Sequence, residues 1–334
     1  MRTGSVTLFL VFCTTLFLTP PAGAQMRLTY SNFFPPTHIH SQLAERWCKE
    51  IEKQTNGEIV FNYFPASTLT RPQQTYIAVA KGVADIGMTA IAYSRGRFPV
   101  LEAIDLPMGY TSGVQATAVA NQVLERFDPE ELHNTEVMYL HAHGPGLIHT
   151  RNKPIHTLED LKGLKIRGTG TSGEVIAALG GTPVGQSMAE TYQMLQRGVV
   201  DGSAHPVEAN NGWKLGEVAR YMIQNFSSGY TTTFAVFMNQ KRWRQLTLEQ
   251  QEIITRINEE FALKHGQAWD EADEKGMAFF LSKGGTVISQ TDEESRRWAE
   301  KVSVLIQDYI QNVAKRGIDG KPIVDFIQAK TARP

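Results

Sequence analysis

One helix-to-strand corner occurs twice in this chain, and the repetition limits the possible folds more than any other sequence feature. Residues 75–85 and 191–201 share the pattern T-Y-x-x-x-x-(K/R)-G-V-x-D, with five identities in eleven positions. Helices commonly end at glycine in any fold, which is the simpler explanation for part of the match. The repeated corner favours two similar α/β domains that face each other across a cleft.

Alternating strand and helix patterns surround both corners. RLTYSNFF, EIVFNYFP and ADIGMTA are typical of strands, and SQLAERWCKEIEKQT places its apolar residues on one helical face. The second block alternates in the same way through LKIRG, GEVIAALGG, TPV, ETYQMLQRG and VDGSAH. This order predicts an α/β fold with two mixed, mostly parallel sheets flanked by helices.

A long helical pattern follows in the C-terminal part of the chain. It runs from Thr247 to about Ser282, and at about 1.5 Å per residue it would reach about 50 Å, enough to brace both domains. We expect residues 26–144 plus about 231–270 to form lobe I. Residues 145–230 plus about 271–334 would then form lobe II.

The N-terminus is typical of a secretory signal peptide. A basic Arg2 precedes the apolar stretch 6–18, and Ala22-Gly23-Ala24 has the small-x-small form of a cleavage site. We expect residues 1–24 to be removed and the mature chain to be exported. Cys48 is then the single cysteine, so no internal disulfide can form, and we interpret it as a core residue. The formal net charge of -1 gives no argument for a nucleic-acid partner.

The segment LKIRGTGTSGE (164–174) contains a glycine motif and an arginine. Gly168, Gly170 and Gly173 have the G-x-G-x-x-G spacing of a dinucleotide-binding turn. The acidic residue that should end the next strand is missing, and an exported protein meets little NAD, so we expect no cofactor. Arg167 ends the strand just before a helix N-terminus, a position that suits a carboxylate ligand, although a solvated surface arginine is the alternative. The glycines would let the backbone approach that ligand.

Several segments together resemble one protein family. LEDLKGLKIR (158–167) and GGTPVGQSMAETYQMLQRGVVDG (180–202) are similar to the DctP-type solute-binding proteins of tripartite ATP-independent periplasmic (TRAP) transporters. CKEIEKQTNGEIVFNYFPASTL and VAKGVADIGM match in the first half. The resemblance implies a two-lobed periplasmic-binding-protein architecture, with a ligand cleft between the lobes and a long bridging helix.

The same resemblance implies a function. Such a protein closes on a small organic acid in the periplasm and delivers it to the small and large membrane subunits of the transporter. We expect this chain to do so as a monomer. In the family, the arginine of the LKIR motif holds the ligand carboxylate, and Arg167 occupies that position here.

Five positions depart from the family pattern and bear on the ligand. His205 stands where Asn is common, and Met188 stands where an aromatic residue often packs on the ligand. Phe33 and Ala90 replace residues that are polar in members binding hydroxyl-rich acids, and Leu147 replaces a second arginine of some members. An apolar pocket cannot satisfy many hydroxyl groups. We therefore expect a monocarboxylate with an apolar or aromatic body.

Further cleft candidates follow from their positions. Tyr93, Glu208 and Trp213 lie beside the expected cleft strands, although Trp213 could equally pack in the core. Thr169 belongs to the glycine turn, and His38 belongs to the PPTHIH loop, where exposed residues are the default. We expect all five to contact the ligand.

His141 and His143 form an H-x-H pattern that could ligate a metal. Two ligands alone do not make a site, so we expect no metal, and one or both rings would line the cleft instead. The pattern leaves open which of the two faces it.

No catalytic motif points to an enzyme. Neither a serine-histidine-aspartate order, nor a paired-carboxylate motif, nor H-E-x-x-H occurs in the sequence. We therefore expect a binding protein. An exported α/β enzyme acting on a carboxylic acid is the first alternative, and the binding component of an ATP-driven importer or of a chemoreceptor is the second.

Overall fold

The computed structural model describes residues 25–332, which form two β-sheets with helices packed on them. The strands are β1 (Met26–Asn32), β2 (Ile59–Phe64), β3 (Ile86–Ala90), β4 (Thr135–Ala142), β5 (Leu147–Thr150), β6 (Lys165–Arg167), β7 (Thr182–Val184), β8 (Gly202–His205), β9 (Tyr221–Gln224), β10 (Thr233–Asn239) and β11 (Thr286–Ser289). The helices are α1 (Ile39–Gln54), α2 (Thr75–Ala80), α3 (Gly113–Phe127), α4 (Thr171–Ala178), α5 (Met188–Arg197), α6 (Ala209–Gly212), α7 (Gln240–Trp243), α8 (Leu248–Ser282), α9 (Asp292–Ala314) and α10 (Lys321–Thr331). The expected signal peptide lies outside the described residues. Between residues 25 and 332, no helix combines the length and the apolar character that crossing a bilayer requires.

Both sheets are mixed. The first has the strand order β2-β1-β3-β10-β4, and the second has the order β11-β9-β5-β8-β6-β7. β1 pairs in parallel with β2 and β3, and β6 pairs in parallel with β7 and β8. β10 and β5, each of which follows a change of sheet, pair antiparallel with both of their neighbours. The prediction of an α/β fold with two mixed sheets is confirmed.

The chain crosses from one sheet to the other beside the cleft. It leaves the first sheet after Ala142 and returns to it at Thr233. The two crossing segments touch, because the Gly146 N–H donates a 2.7 Å hydrogen bond to the Tyr230 carbonyl. A Cβ at Gly146 would lie 2.4 Å from the Tyr230 ring, so only glycine allows this contact. The lobes are therefore joined by a paired connection.

The two repeated corners have the same structure. Gly82 and Gly198 end α2 and α5 with φ angles of +74° and +69°, the left-handed conformation that glycine adopts without strain. Asp85 and Asp201 follow, and each carboxylate accepts a 2.8 Å hydrogen bond from a backbone N–H of the neighbouring strand, β1 or β6. The sequence repeat thus marks one equivalent corner in each lobe.

Helix α8 spans 35 residues and contacts both lobes. Trp269, beyond its middle, lies against Phe234 of β10 with ring centroids 5.2 Å apart. Phe280, near its end, lies edge-on to His149 of β5 with centroids 6.1 Å apart. The predicted bridging helix is confirmed.

The lobe boundaries stay a prediction, and one contact bears on them. Phe326 of α10 packs edge-on against Phe127 of α3 with ring centroids 5.8 Å apart. Helix α3 belongs to the first sheet, because the Asn121 side chain bonds to both backbone polar groups of Leu140 in β4. The C-terminal helix therefore contacts lobe I, although the sequence assigned it to lobe II.

Candidate ligand-binding site

A cavity lies between the two sheets. Residues of both lobes and of the bridging helix line it. Those that the sequence singled out are Phe33, Ala90, Tyr93, His143, Arg167, Thr169, Met188, His205, Glu208 and Trp213. Their contacts with a ligand stay a prediction, but the fold brings them to one place.

His38 and Leu147 do not line the cavity. His38 is buried behind the wall, where its Nε2 lies 2.8 Å from Oε1 of Glu208. Leu147 packs in a small core with Val207 and Phe280. Its face of β5 is covered by α8, so the expectation that Leu147 lies at the cavity is corrected.

Arg167 is held at the end of β6 by backbone carbonyl groups. Its Nε–H donates to the Gln186 carbonyl at 2.7 Å, and Nη1 donates to the Ala204 carbonyl at 3.4 Å. Only 4% of its surface is exposed. Within the described part of the chain, no carboxylate pairs with it at 4.0 Å or less. A buried guanidinium without an anionic partner is costly, so it provides a site for a ligand carboxylate.

Aromatic rings from four parts of the chain form one wall of the cavity. Phe33 and Phe34 follow β1, Trp213 follows α6, Phe234 comes from β10 and Trp269 from α8. Neighbouring ring centroids lie 4.2 Å apart for Phe33–Phe34, 5.6 Å for Phe34–Phe234 and 6.2 Å for Phe33–Trp213. This wall favours a flat or apolar ligand body.

The sequence interpretation missed several lining residues, among them Phe34, Tyr230, Phe234 and Trp269. Every residue of β10 is buried, so no alternation marks Phe234 as a cavity residue. Trp269 could have been found, since an aromatic residue inside a helix that contacts both lobes is a natural wall for the cleft between them.

Two cavity histidines are neutral. Burial lowers the pKa of His143 to about 4 and lowers the pKa of His205 well below its ordinary value. The Nδ1–H of His143 donates to the Gly144 carbonyl, which leaves a lone pair on Nε2. Neither ring nitrogen of His205 has a hydrogen-bond partner among residues 25–332. His205 can therefore offer one donor and one acceptor to a ligand, and His143 can offer an acceptor.

Direct contacts hold the two lobes together around the cavity. The backbone N–H of Met188 in lobe II donates to the Tyr93 hydroxyl of lobe I at 3.0 Å. The His38–Glu208 contact joins the lobes at a second point. This arrangement is a closed one, in which a ligand would be enclosed.

One glycine of the motif lets the two lobes lie close together. Gly170 has φ +52° and ψ -133°, and a Cβ there would lie 3.0 Å from the Cβ of Ala92 in lobe I. A Cβ at Gly168 would lie 2.5 Å from the Ile176 side chain within lobe II. The expectation that these glycines admit a ligand is corrected, because the close neighbours are Ala92 and Ile176. Thr169 between them lines the cavity.

His141 does not line the cavity; it lies behind Phe234 and Trp269, in a buried histidine cluster. One nitrogen of each of His40, His141 and His265 lies within 4.8 Å of the others, a spacing that could hold a metal. However, Trp269 Nε1–H donates to His141 Nδ1 at 3.0 Å, which places the proton of the neutral ring on Nε2. The cluster contains no carboxylate, so a buried divalent charge would be uncompensated. We interpret the cluster as a buried polar network.

Two α/β lobes that close around one small cavity define a binding protein of the periplasmic type. The sequence model of bacterial extracellular solute-binding protein family 7, the DctP family, matches residues 30–312. The chain belongs to this family, whose members are periplasmic solute-binding proteins of TRAP transporters and not enzymes.

Solved structures with the same fold include two aromatic-acid binders. One is a marine metagenome TRAP solute-binding protein specific for aromatic acid ligands, in complex with metahydroxyphenylacetate. It is 29% identical with a TM-score of 0.87, and the match covers 92% of this chain and 98% of that one. Another, from Rhodoferax ferrireducens, contains copurified benzoate. It is 28% identical with a TM-score of 0.86 and the same coverage.

One curated relative is named for the acids that it binds. The monocarboxylate 2-oxoacid-binding periplasmic protein of Nostoc is 27% identical to this chain. The match covers 81% of this chain and 75% of the relative.

Proposed function

We propose that this protein captures a small organic monocarboxylate with an apolar or aromatic body. The observation that carries the proposal is Arg167, a buried cation on the cavity wall with no acidic partner among the described residues. A carboxylate would satisfy its unused N–H donors with two parallel hydrogen bonds.

A single carboxylate follows from the charges around the cavity. Arg167 is the only lysine or arginine among the described residues that line it. His143 and His205 are neutral because burial lowers their pKa values. A second carboxylate would therefore find no cation.

The body of the ligand follows from the aromatic wall. Burial of apolar surface contributes about 25 cal/mol per Å², whereas each buried hydroxyl without a partner costs about 1–3 kcal/mol. Relatives that contain benzoate or metahydroxyphenylacetate support an aryl acid. The monocarboxylate-binding relative supports a single acid group.

Delivery to the small and large membrane subunits of a TRAP transporter completes the proposed role. The protein would be exported, lose residues 1–24 by cleavage after Ala24, and act as a monomer without a cofactor. It would release the acid chemically unchanged. Family membership supports this role.

A thermal-shift screen of the mature chain tests the proposal. The panel contains aryl, alkyl, keto, hydroxy and sugar monocarboxylates, together with benzenesulfonate and uncharged benzamide. A ligand that binds only the folded state stabilises it by RT ln(1 + [L]/Kd). We expect aryl or alkyl monocarboxylates to raise the unfolding temperature and benzamide to leave it unchanged. Conversion of a binding acid to a product, followed by NMR, would support the enzyme alternative instead.

A further inference from the structure

Glu208 places a negative charge on the cavity wall. It follows β8, lines the cavity and is only 2% exposed. It makes no ion pair with Arg167 within 4.0 Å, although both residues line the same cavity. The two opposite charges therefore do not neutralise each other by direct pairing.

The contact with His38 does not neutralise this charge. The backbone N–H of His40 donates to His38 Nδ1 at 3.3 Å, so Nδ1 carries a lone pair and the ring proton lies on Nε2. A ring in this form is uncharged. Its Nε2 lies 2.8 Å from Oε1 of Glu208, yet the contact does not meet hydrogen-bond geometry, since Nε2 has no hydrogen-bond partner among residues 25–332.

The other neighbours of Glu208 offer no cation. Asp273 of α8 accepts a 2.7 Å hydrogen bond from the Glu208 backbone N–H. Burial, with a smaller contribution from the nearby Glu208 carboxylate, raises the pKa of Asp273 to about 7. Gly212 leaves the space into which the carboxylate folds, since a Cβ there would meet Oε1 at 1.7 Å. The carboxylate therefore lies in the space beside Gly212, and no lysine or arginine of the described residues pairs with it within 4.0 Å.

We propose that Glu208 determines specificity by accepting a hydrogen bond from a hydroxyl group on the ligand, at the end away from the carboxylate that Arg167 holds. The inference rests on the proposed function and narrows its ligand class to hydroxy-substituted aryl monocarboxylates. On this proposal, the negative charge of Glu208 also disfavours the binding of dicarboxylates.

The chemistry of the two ends supports this assignment. A buried carboxylate oxygen can accept a strong hydrogen bond from an O–H donor, because a hydrogen bond to a charged group is stronger than one between neutral groups. A carboxylate at the same place would face Glu208 without a cation between them, and like charges in a buried site repel strongly.

Calorimetric titration of the wild-type protein is the first test. The probes are benzoate, the ortho, meta and para hydroxybenzoates, the matching fluorobenzoates and the benzene dicarboxylates. Fluorine is close to hydroxyl in size but donates no hydrogen bond. We expect at least one hydroxy isomer to bind about tenfold tighter than its fluoro counterpart and than benzoate. Hydroxy isomers that bind no tighter than their fluoro counterparts would overturn the inference while leaving the proposed function intact.

Glu208→Gln is the second test, since it removes the charge and keeps the shape. We expect the hydroxyl preference to fall to within about threefold and dicarboxylate binding to strengthen about tenfold. Glu190→Gln, on an exposed position of α5, is the matched control and should change neither ratio. An unchanged hydroxyl preference in Glu208→Gln would overturn the inference, and the wild-type series decides the question if the variant does not fold. Failure of every benzoate to bind would overturn this inference, whereas the proposed function would fall only if the alkyl and other aryl acids of the thermal-shift panel also failed to bind.

Discussion

Replacing Arg167 with methionine should separate ligand binding from stability. Methionine keeps an unbranched apolar side chain at the end of β6 but removes the buried guanidinium. Truncating one partner of a desolvated charge pair costs about 2–5 kcal/mol of binding free energy. The affinity for an aryl monocarboxylate should therefore fall about 30-fold to several thousand-fold.

The stability of the ligand-free protein should change much less. The substitution removes hydrogen bonds to the carbonyls of Gln186 and Ala204, at about 1 kcal/mol each. It also removes a buried cation that has no acidic partner among the described residues, which offsets this loss. We expect the free energy of unfolding to change by less than about 2 kcal/mol.

Calorimetry and urea unfolding together check this prediction. Arg296→Met is the matched control, because Arg296 is exposed on α9, far along the sequence from the cavity strands. It should leave affinity and stability unchanged. Wild-type affinity in Arg167→Met would refute the carboxylate role, and a large loss of ligand-free stability would show that Arg167 acts mainly in the fold.

Three further outcomes follow from the structure. Gly170→Ala should weaken ligand binding by about 1–3 kcal/mol in calorimetry, because a Cβ there would lie 3.0 Å from the Cβ of Ala92 in the other lobe and would crowd the closed form; unchanged affinity would contradict the proposed lobe contact. Tyr93→Phe should speed ligand release in stopped-flow measurements, since the Met188 N–H loses its acceptor; an unchanged rate would mean that this bond does not hold the closed form. Burial lowers the pKa of His149 to about 3, so below about pH 6.5 the unfolded state binds a proton that the folded state does not. The stability that this residue contributes is full above that pH and falls by about 2 kcal/mol between pH 7.5 and pH 5. The difference in urea unfolding between wild type and His149→Gln should shrink by that amount, and a constant difference would refute the assignment.

Local sequence patterns were enough to predict two similar α/β units and to single out Arg167 as the candidate cation of the cleft. The T-Y…G-V-x-D corner returns in the structure as equivalent turns at Gly82 and Gly198. Arg167 ends its strand at the start of a helix, and both features depend on neighbouring residues alone. Both features depend on the local backbone conformation, which neighbouring residues determine, so the sequence predicts them well.

Residues whose surroundings depend on tertiary packing were harder to place. Leu147 was expected at the cavity, but α8, far along the chain, covers that face of β5. Phe234 was missed because every residue of its strand is buried. The contact of Gly170 with Ala92 could not be predicted, since Ala92 lies nearly eighty residues earlier in the sequence. No periodicity records such long-range contacts.

The sequence could not predict either which histidine of the H-x-H pattern lines the cavity. His141 and His143 are two residues apart in the pattern H-x-H, yet only His143 lines the cavity. Ala142 ends β4, so the chain leaves the strand between the two histidines. His141 joins the cluster with His265, which lies on α8.

Calorimetric titration with benzoate and with D-glucuronate tests the central claim most directly. Both compounds carry one carboxylate for Arg167, but only glucuronate carries a ring of hydroxyl groups that the aromatic wall cannot satisfy. We predict saturable binding of benzoate and no detectable heat from glucuronate. Tight binding of glucuronate, with none of benzoate or other aryl and alkyl acids, would contradict the account.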